Sequence, residues 1–257
     1  FGYLPSMLLA VGPLAAVPAM MASIAALQGF ANLPPTGLLD KETIELMLAP
    51  RCGCPDIQAL EIGVPEQLIR DMTVCVVEYV PGVPGSVHDD IWDTCIQNWR
   101  EVADFKLTRT KNQGIASLVI TAHNLGGPSG VLAQCHVGPY RGRQLMLEMD
   151  STERWQTEIG MEEVGTHELG HYLGLLHSKG LMAPFYKKGL SKPQPVDDIQ
   201  RVQAIWGKAT AVPKPPEPPV TPPTTPTEPL PPGFAKHFIQ MEIICKDLQS
   251  AKVVNVT

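Results

Sequence analysis

Three histidines constrain this chain more than any other feature of it. In the stretch His167-Glu168-Leu169-Gly170-His171-Tyr172-Leu173-Gly174-Leu175-Leu176-His177, the first two stand four residues apart. On a helix that spacing puts both side chains on one face, where two imidazoles can bind one metal ion. Glu168 directly follows His167, so its carboxylate falls beside the metal rather than on it, within reach of a proton on an attacking water. Gly174 can adopt a positive φ and end the helix, letting the chain bring His177 back as a third ligand. Three neutral imidazoles leave a fourth position open, the arrangement of a catalytic zinc rather than a structural one. H-E-x-x-H alone recurs by chance, whereas the extended form with Gly174 and His177 fixes five positions. The competing reading, a helix with unrelated surface and core histidines, needs that coincidence. Met182 follows soon after the third histidine and is expected to form a turn beneath the metal.

At 257 residues and 44% hydrophobic content, the chain has room for one medium domain and a smaller one. A net charge of −6 with no Lys/Arg cluster argues against nucleic acid or an anionic membrane as partner. Six cysteines (Cys52, Cys54, Cys75, Cys95, Cys135 and Cys245) are too few and too scattered for a disulfide-built scaffold. Cys75 lies in an apolar run and Cys95 shares a helical face with Ile91, Trp99 and Val102. Both are expected as buried thiols, a disulfide between them being the alternative. Phe1 stands where an initiator Met would, which leads to the expectation of an upstream segment. Residues 1–39 carry no charge, and 7–27 are strongly apolar. Pro5, Pro13 and Pro18 and the lack of a basic flank argue against a membrane span there and for a small helical pro-segment.

Four zones follow from the pattern. Up to about Asp56 the chain reads as short helices, one of them starting at Asp40, whose carboxylate can cap free N–H groups, and stopping before Pro50. The next zone mixes strands at 73–79, 117–121 and 145–149 with helices over 91–102, 161–176 and 197–206. Residues 213–232 are about half proline, a polyproline linker that cannot build a core and could reach roughly 60 Å. Residues 233–257 are too short to fold alone and suggest a strand or two, the remnant of an accessory domain.

The histidine motif, Ser178 and the turn Leu181-Met182-Ala183-Pro184-Phe185-Tyr186 resemble the matrixins, the matrix-metalloproteinase branch of the metzincins. A second motif, Pro50-Arg51-Cys52-Gly53-Cys54-Pro55-Asp56, is similar to that family's cysteine switch. Phe1-Gly2-Tyr3-Leu4, the stretch from Leu33 to Asp40, and Asp197-Asp198-Ile199 add to a likeness that spans about residues 1–207. The resemblance implies an α+β fold: a metzincin domain with a mixed, mostly parallel five-stranded sheet and three helices, behind a three-helix pro-domain. It implies boundaries at 1–56 (pro-domain), 57–72 (activation segment), 73–210 (catalytic domain), 211–232 (linker) and 233–257 (tail). It implies a latent, secreted, monomeric zinc endopeptidase acting on extracellular proteins. Cys52 would fill the fourth zinc position, since a thiolate is a good zinc ligand, until another protease or autolysis cuts after Asp56. Arg51 would lock the segment through a carboxylate of the pro-segment or cleft. The new N-terminus would pair with Asp197 or Asp198. Leu132 and Ala133 would line up with substrate backbone, and an apolar substrate side chain would sit beside His177 and the wall from Pro184 to Tyr186.

The departures are as informative. His123 and His136 remain, but Gln134 stands where the family has a histidine, and Leu147 or Glu148 replaces another, so one catalytic zinc and no structural zinc is expected. Glu148, Asp150 and Glu153 are the candidates for calcium, against carboxylates merely solvated near a turn. Cys54 replaces a non-cysteine residue and could compete with Cys52 for zinc or bond to another thiol. A rival class, a non-catalytic zinc-binding module that keeps the fold, would be favoured by loss of Glu168, and Glu168 is present.

Overall fold

The computed structural model describes residues 1–3, 13–57, 69, 71–139 and 143–209, all within one compact unit, Phe1–Val212. The expected linker, the tail with Cys245 and most of the activation segment lie outside the described residues. Two helices, α1 (Pro13–Phe30) and α2 (Lys41–Leu48), precede the switch motif. Asp40 caps α2 as expected, its Oδ1 accepting from the Thr43 N–H at 2.9 Å. Pro18 sits inside α1 without ending it. Near the helix start its missing N–H removes a single backbone bond. Gln28, fully buried, ties the two helices together. Its Oε1 accepts from Gly37 N–H at 2.8 Å and its Nε2 donates to Thr43 Oγ1 at 2.7 Å. Of the three helices expected in this region, the described residues contain these two.

Among the described residues the sheet has six strands: the five expected of the catalytic domain and one from the switch motif. They are β1 (Arg51–Cys52), β2 (Asp71–Val76), β3 (Lys106–Arg109), β4 (Leu118–His123), β5 (Val131–Cys135) and β6 (Leu145–Asp150), in the spatial order β1-β5-β6-β4-β2-β3. Only β5 against β6 is antiparallel, and every other pair is parallel. The extra strand is the switch motif itself, a two-residue piece laid along β5. β2 starts at Asp71, inside the segment assigned to activation.

Helices α3 (Gly85–Arg100), α4 (Met161–Tyr172) and α5 (Gln200–Trp206) complete the unit, α5 following a π-helical turn at Pro195–Ile199. The α3 stripe Ile91, Trp92, Cys95, Ile96 and Trp99 is buried, as its periodicity dictates. The principal hydrophobic cluster runs from Met72 to Trp206 and includes no residue of the first 56. Removing the pro-segment therefore leaves that core whole. Cys75 and Cys95 are both buried and free, so no disulfide joins them. Among the described residues, no helix is long and apolar enough to cross a membrane.

Candidate metal centre

Helix α4 carries His167, Glu168 and His171, and ends at Tyr172, short of the expected residue 176, because the chain turns at Gly174. Gly174 has φ +99°. Its N–H donates to His171 O at 2.8 Å, and Leu175 N–H donates to Gly170 O at 3.0 Å. This paired ending needs a residue free to turn left-handed. It lifts His177 back towards the helix, so that the three imidazole centroids lie 4.7 to 5.4 Å apart. Donor atoms of His167, His171, His177 and Cys52 all lie within 4.8 Å of one another, and all four residues are buried.

Two of the three rings are aimed from behind. His167 Nδ1 lies 2.7 Å from Leu181 O, and His171 Nδ1 lies 2.7 Å from Leu175 O. Donation to a carbonyl fixes the Nδ1–H tautomer and turns a bare Nε2 towards the shared centre. Burial, with His171 and His177 alongside, holds the His167 pKa well below the ordinary value, so this ring is neutral as a ligand must be. His177 Nδ1 has Asp56 Oδ1 at 2.8 Å, at ion-pair distance but out of hydrogen-bond alignment. His177 Nε2 and both oxygens of Glu168 are buried without a hydrogen-bond partner. Such orphaned acceptors are costly unless a cation or water satisfies them. Three imidazoles and a thiol around one point are a donor set that zinc favours. The residues fit a metal.

Met182 lies beneath the site, fully buried. A Cβ on Gly170 would come 2.4 Å from its sulfur, so the helix packs on this turn only because residue 170 lacks a side chain. The structure separates the two aspartates that the sequence left equivalent. Asp198 is fully buried and accepts from Leu181 N–H at 2.9 Å, Met182 N–H at 3.2 Å and Gln194 N–H at 2.7 Å. It anchors the methionine turn, whereas Asp197 is only half-buried.

The switch segment is held on both sides. Gly53 N–H donates to Ala133 O at 2.7 Å and Cys52 N–H to Pro184 O at 2.8 Å, while Tyr186 N–H donates to Pro50 O at 2.9 Å. Three of the four residues expected to bind substrate thus grip the segment by their backbone. The fourth, Leu132, is buried and lines the adjoining cleft. A Cβ on Gly53 would sit 2.7 Å from Val131 Cγ1, which is why glycine follows the cysteine. Arg51 finds its carboxylate inside the motif: Nη2 donates to Asp56 Oδ1 at 2.6 Å, both side chains being almost fully buried. Its guanidinium lies between two rings, 3.6 Å from the Phe1 centroid and 4.8 Å from that of Phe185. Tyr3 Oη donates to Asp56 Oδ2 at 2.8 Å. The sequence reading missed these roles of Phe1, Tyr3 and Asp56, although all three lie in motifs it had singled out.

Cys54 is buried and free, its thiol donating to Cys135 O at 3.0 Å. Its sulfur lies within 4.8 Å of Cys52, Glu168 and His171 donor atoms, in a group that leaves out His167 and His177. It therefore flanks the site without joining the three-histidine set. Burial, reinforced by Cys54, pushes the Glu168 carboxyl up to about 8.

A model of the family described as Matrixin matches residues 67–207. The chain belongs to the matrixin family. Among its curated relatives, mouse stromelysin-1 is 32% identical over 73% of this chain and 43% of its own length. Human matrix metalloproteinase-27 is 31% identical over 73% of this chain and 40% of its own length. Human matrix metalloproteinase-20 is 30% identical, over 73% and 42%. The chain thus spans less than half the length of the relatives it matches.

This matrixin departs from the pattern around β5 and β6. Gln134 Nε2 donates to Glu148 Oε2 at 2.8 Å, and His123 has Glu148 at 3.9 Å and Glu78 at 3.8 Å. His136 is exposed, with Nδ1 3.2 Å from Met146 O. The calcium candidates Asp150 and Glu153 accept from backbone amides. Asp150 accepts from Leu125 N–H at 3.1 Å and Thr152 N–H at 2.7 Å, and Glu153 from Ser129 N–H at 2.6 Å. Both carboxylates brace the turn between β4 and β5.

Proposed function

We propose that this chain is the latent form of a secreted zinc endopeptidase, silenced by Cys52 and activated by a cut within residues 57–72. The observation that carries the reading is the convergence of the Cys52 sulfur with His167, His171 and His177. Zinc bound there would supply Lewis acidity, polarising a peptide carbonyl and making a water acidic near neutral pH. Glu168 acts as the proton carrier, taking a proton from the attacking water and delivering it to the leaving amine. Its buried carboxyl, which has no hydrogen-bond partner, is free to take and release that proton. The β5 edge and the stretch from Pro184 to Tyr186, vacated by the switch, offer an extended peptide hydrogen bonds on both sides. Asp197, the aspartate not committed to the methionine turn, is the one free to receive the new N-terminus.

The test compares intact protein with Cys52→Ser on a fluorogenic peptide, each with and without a zinc chelator. A silent intact chain and a variant that cleaves only with zinc support the reading. Zinc binding without activity in either protein favours a non-catalytic module instead.

A further inference from the structure

The cleft beside the metal site carries a fixed negative charge that the sequence reading did not assign. It is lined by His167, Glu168 and the wall from Pro184 to Tyr186, where an apolar substrate side chain was expected, though not by His177. Most of its wall is apolar: Val164, Leu181, Tyr186 and Leu190. Beyond His167 and Glu168, its charged lining residues are Glu163 and Lys187. Four residues before His167, Glu163 shares that residue's side of α4, about 6 Å away along the axis.

Three observations mark this carboxylate as held in place. Glu163 Oε1 accepts from Gly189 N–H at 2.9 Å. Its other oxygen folds over the start of α4, where a Cβ on Gly160 would come 1.9 Å from it. Gly160 N–H is already given to Tyr186 Oη at 2.9 Å, so the backbone amide that an acid at this position usually reaches is taken. Among the described residues no ion pair engages Glu163. The other charge on the lining, Lys187, is exposed and can turn to solvent. An apolar group filling the cleft would desolvate Glu163 without compensation. A lysine or arginine would lay its methylene stem on Val164, Leu181 and Leu190 and present its charged head to the carboxylate.

We infer that Glu163 is a specificity-determining residue, and that this cleft selects a basic side chain next to the cleaved bond. The inference rests on the protease reading above. Its rival is purely structural, an acid near a helix N-terminus that also holds the loop at Gly189.

The experiment uses the full chain processed within residues 57–72. Peptides carry lysine, arginine, leucine or norleucine at the two positions flanking the scissile bond, and kcat/KM is measured for each. Norleucine keeps the lysine stem and removes its charge. Glu163→Gln keeps the acceptor for Gly189 and removes the counter-charge. Lysine is expected to exceed norleucine in wild type, with the ratio falling about tenfold in Glu163→Gln, the loss from a charge-assisted to a neutral hydrogen bond. An unchanged ratio, or a wild-type preference for leucine and norleucine, overturns the inference and leaves the protease intact. Rates that fall together at constant ratio assign Glu163 to structure alone. A processed chain that cleaves no peptide removes the protease reading and this inference with it.

Discussion

Replacing Asp56 by alanine separates the grip on the switch segment from the metal ligand itself. Asp56 accepts from Arg51 at 2.6 Å and Tyr3 at 2.8 Å, and its side chain is fully buried. Removing it leaves the Arg51 charge buried between Phe1 and Phe185 with no counter-charge. Breaking one half of a buried pair in this way costs about 3–5 kcal/mol. The docked segment carries that loss alone, because the principal core lies between Met72 and Trp206. At about 1.4 kcal/mol per factor of ten, the undocked population should rise by roughly two to three and a half orders of magnitude. The assay is the rate at which Cys52 of the zinc-loaded, uncut chain reacts with a chromogenic disulfide reagent, corrected with Cys52→Ser. Asp56→Ala should react faster by that factor and gain peptidase activity without processing. An unchanged thiol rate in a variant that keeps its thermal transition would refute the argument.

Gly53→Ala should also weaken latency, because the new methyl lies 2.7 Å from Val131 Cγ1; uncut activity should rise while that of the processed enzyme stays the same. Gly170→Ala forces a Cβ to 2.4 Å from the Met182 sulfur and 2.8 Å from Trp99, an overpacking of about 1–3 kcal/mol readable in urea titration. Burial lowers the His88 pKa to about 4. Its neutral form is therefore favoured by folding, and that stability is complete above the unfolded pKa near 6.5 and lost as pH falls from there towards 4. The loss should reach about 3 kcal/mol at 1.36 kcal/mol per pH unit, and His88→Phe should flatten the slope of stability against pH over that window.

What the sequence made legible was whatever depends on short-range spacing. The i, i+4 histidines, the glycine that ends α4, the Asp40 cap and the buried stripe of α3 each follow from one helical turn of geometry. β3 escaped notice because Lys106-Leu107-Thr108-Arg109 buries Leu107 alone, leaving too little alternation to read. β1 escaped because two residues have no periodicity: Arg51 and Cys52 become a strand only when β5 and the stretch at Pro184–Tyr186 accept them. Asp197 and Asp198 are equivalent in sequence and differ only in which one the methionine turn covers. Cys54 was left between zinc ligation and a disulfide; its sulfur goes to the backbone of Cys135, a tertiary contact that no spacing encodes. Glu163 looked like any exposed helical acid until Gly160, Gly189 and the cleft surrounded it.

Zinc K-edge absorption of the uncut chain loaded with one zinc tests the central claim most directly. The account predicts one sulfur at about 2.3 Å and three nitrogens at about 2.0–2.1 Å, and loss of the sulfur shell on processing or in Cys52→Ser. Two sulfurs would bring Cys54 into the site. No sulfur in the latent chain would contradict the claim that Cys52 closes it.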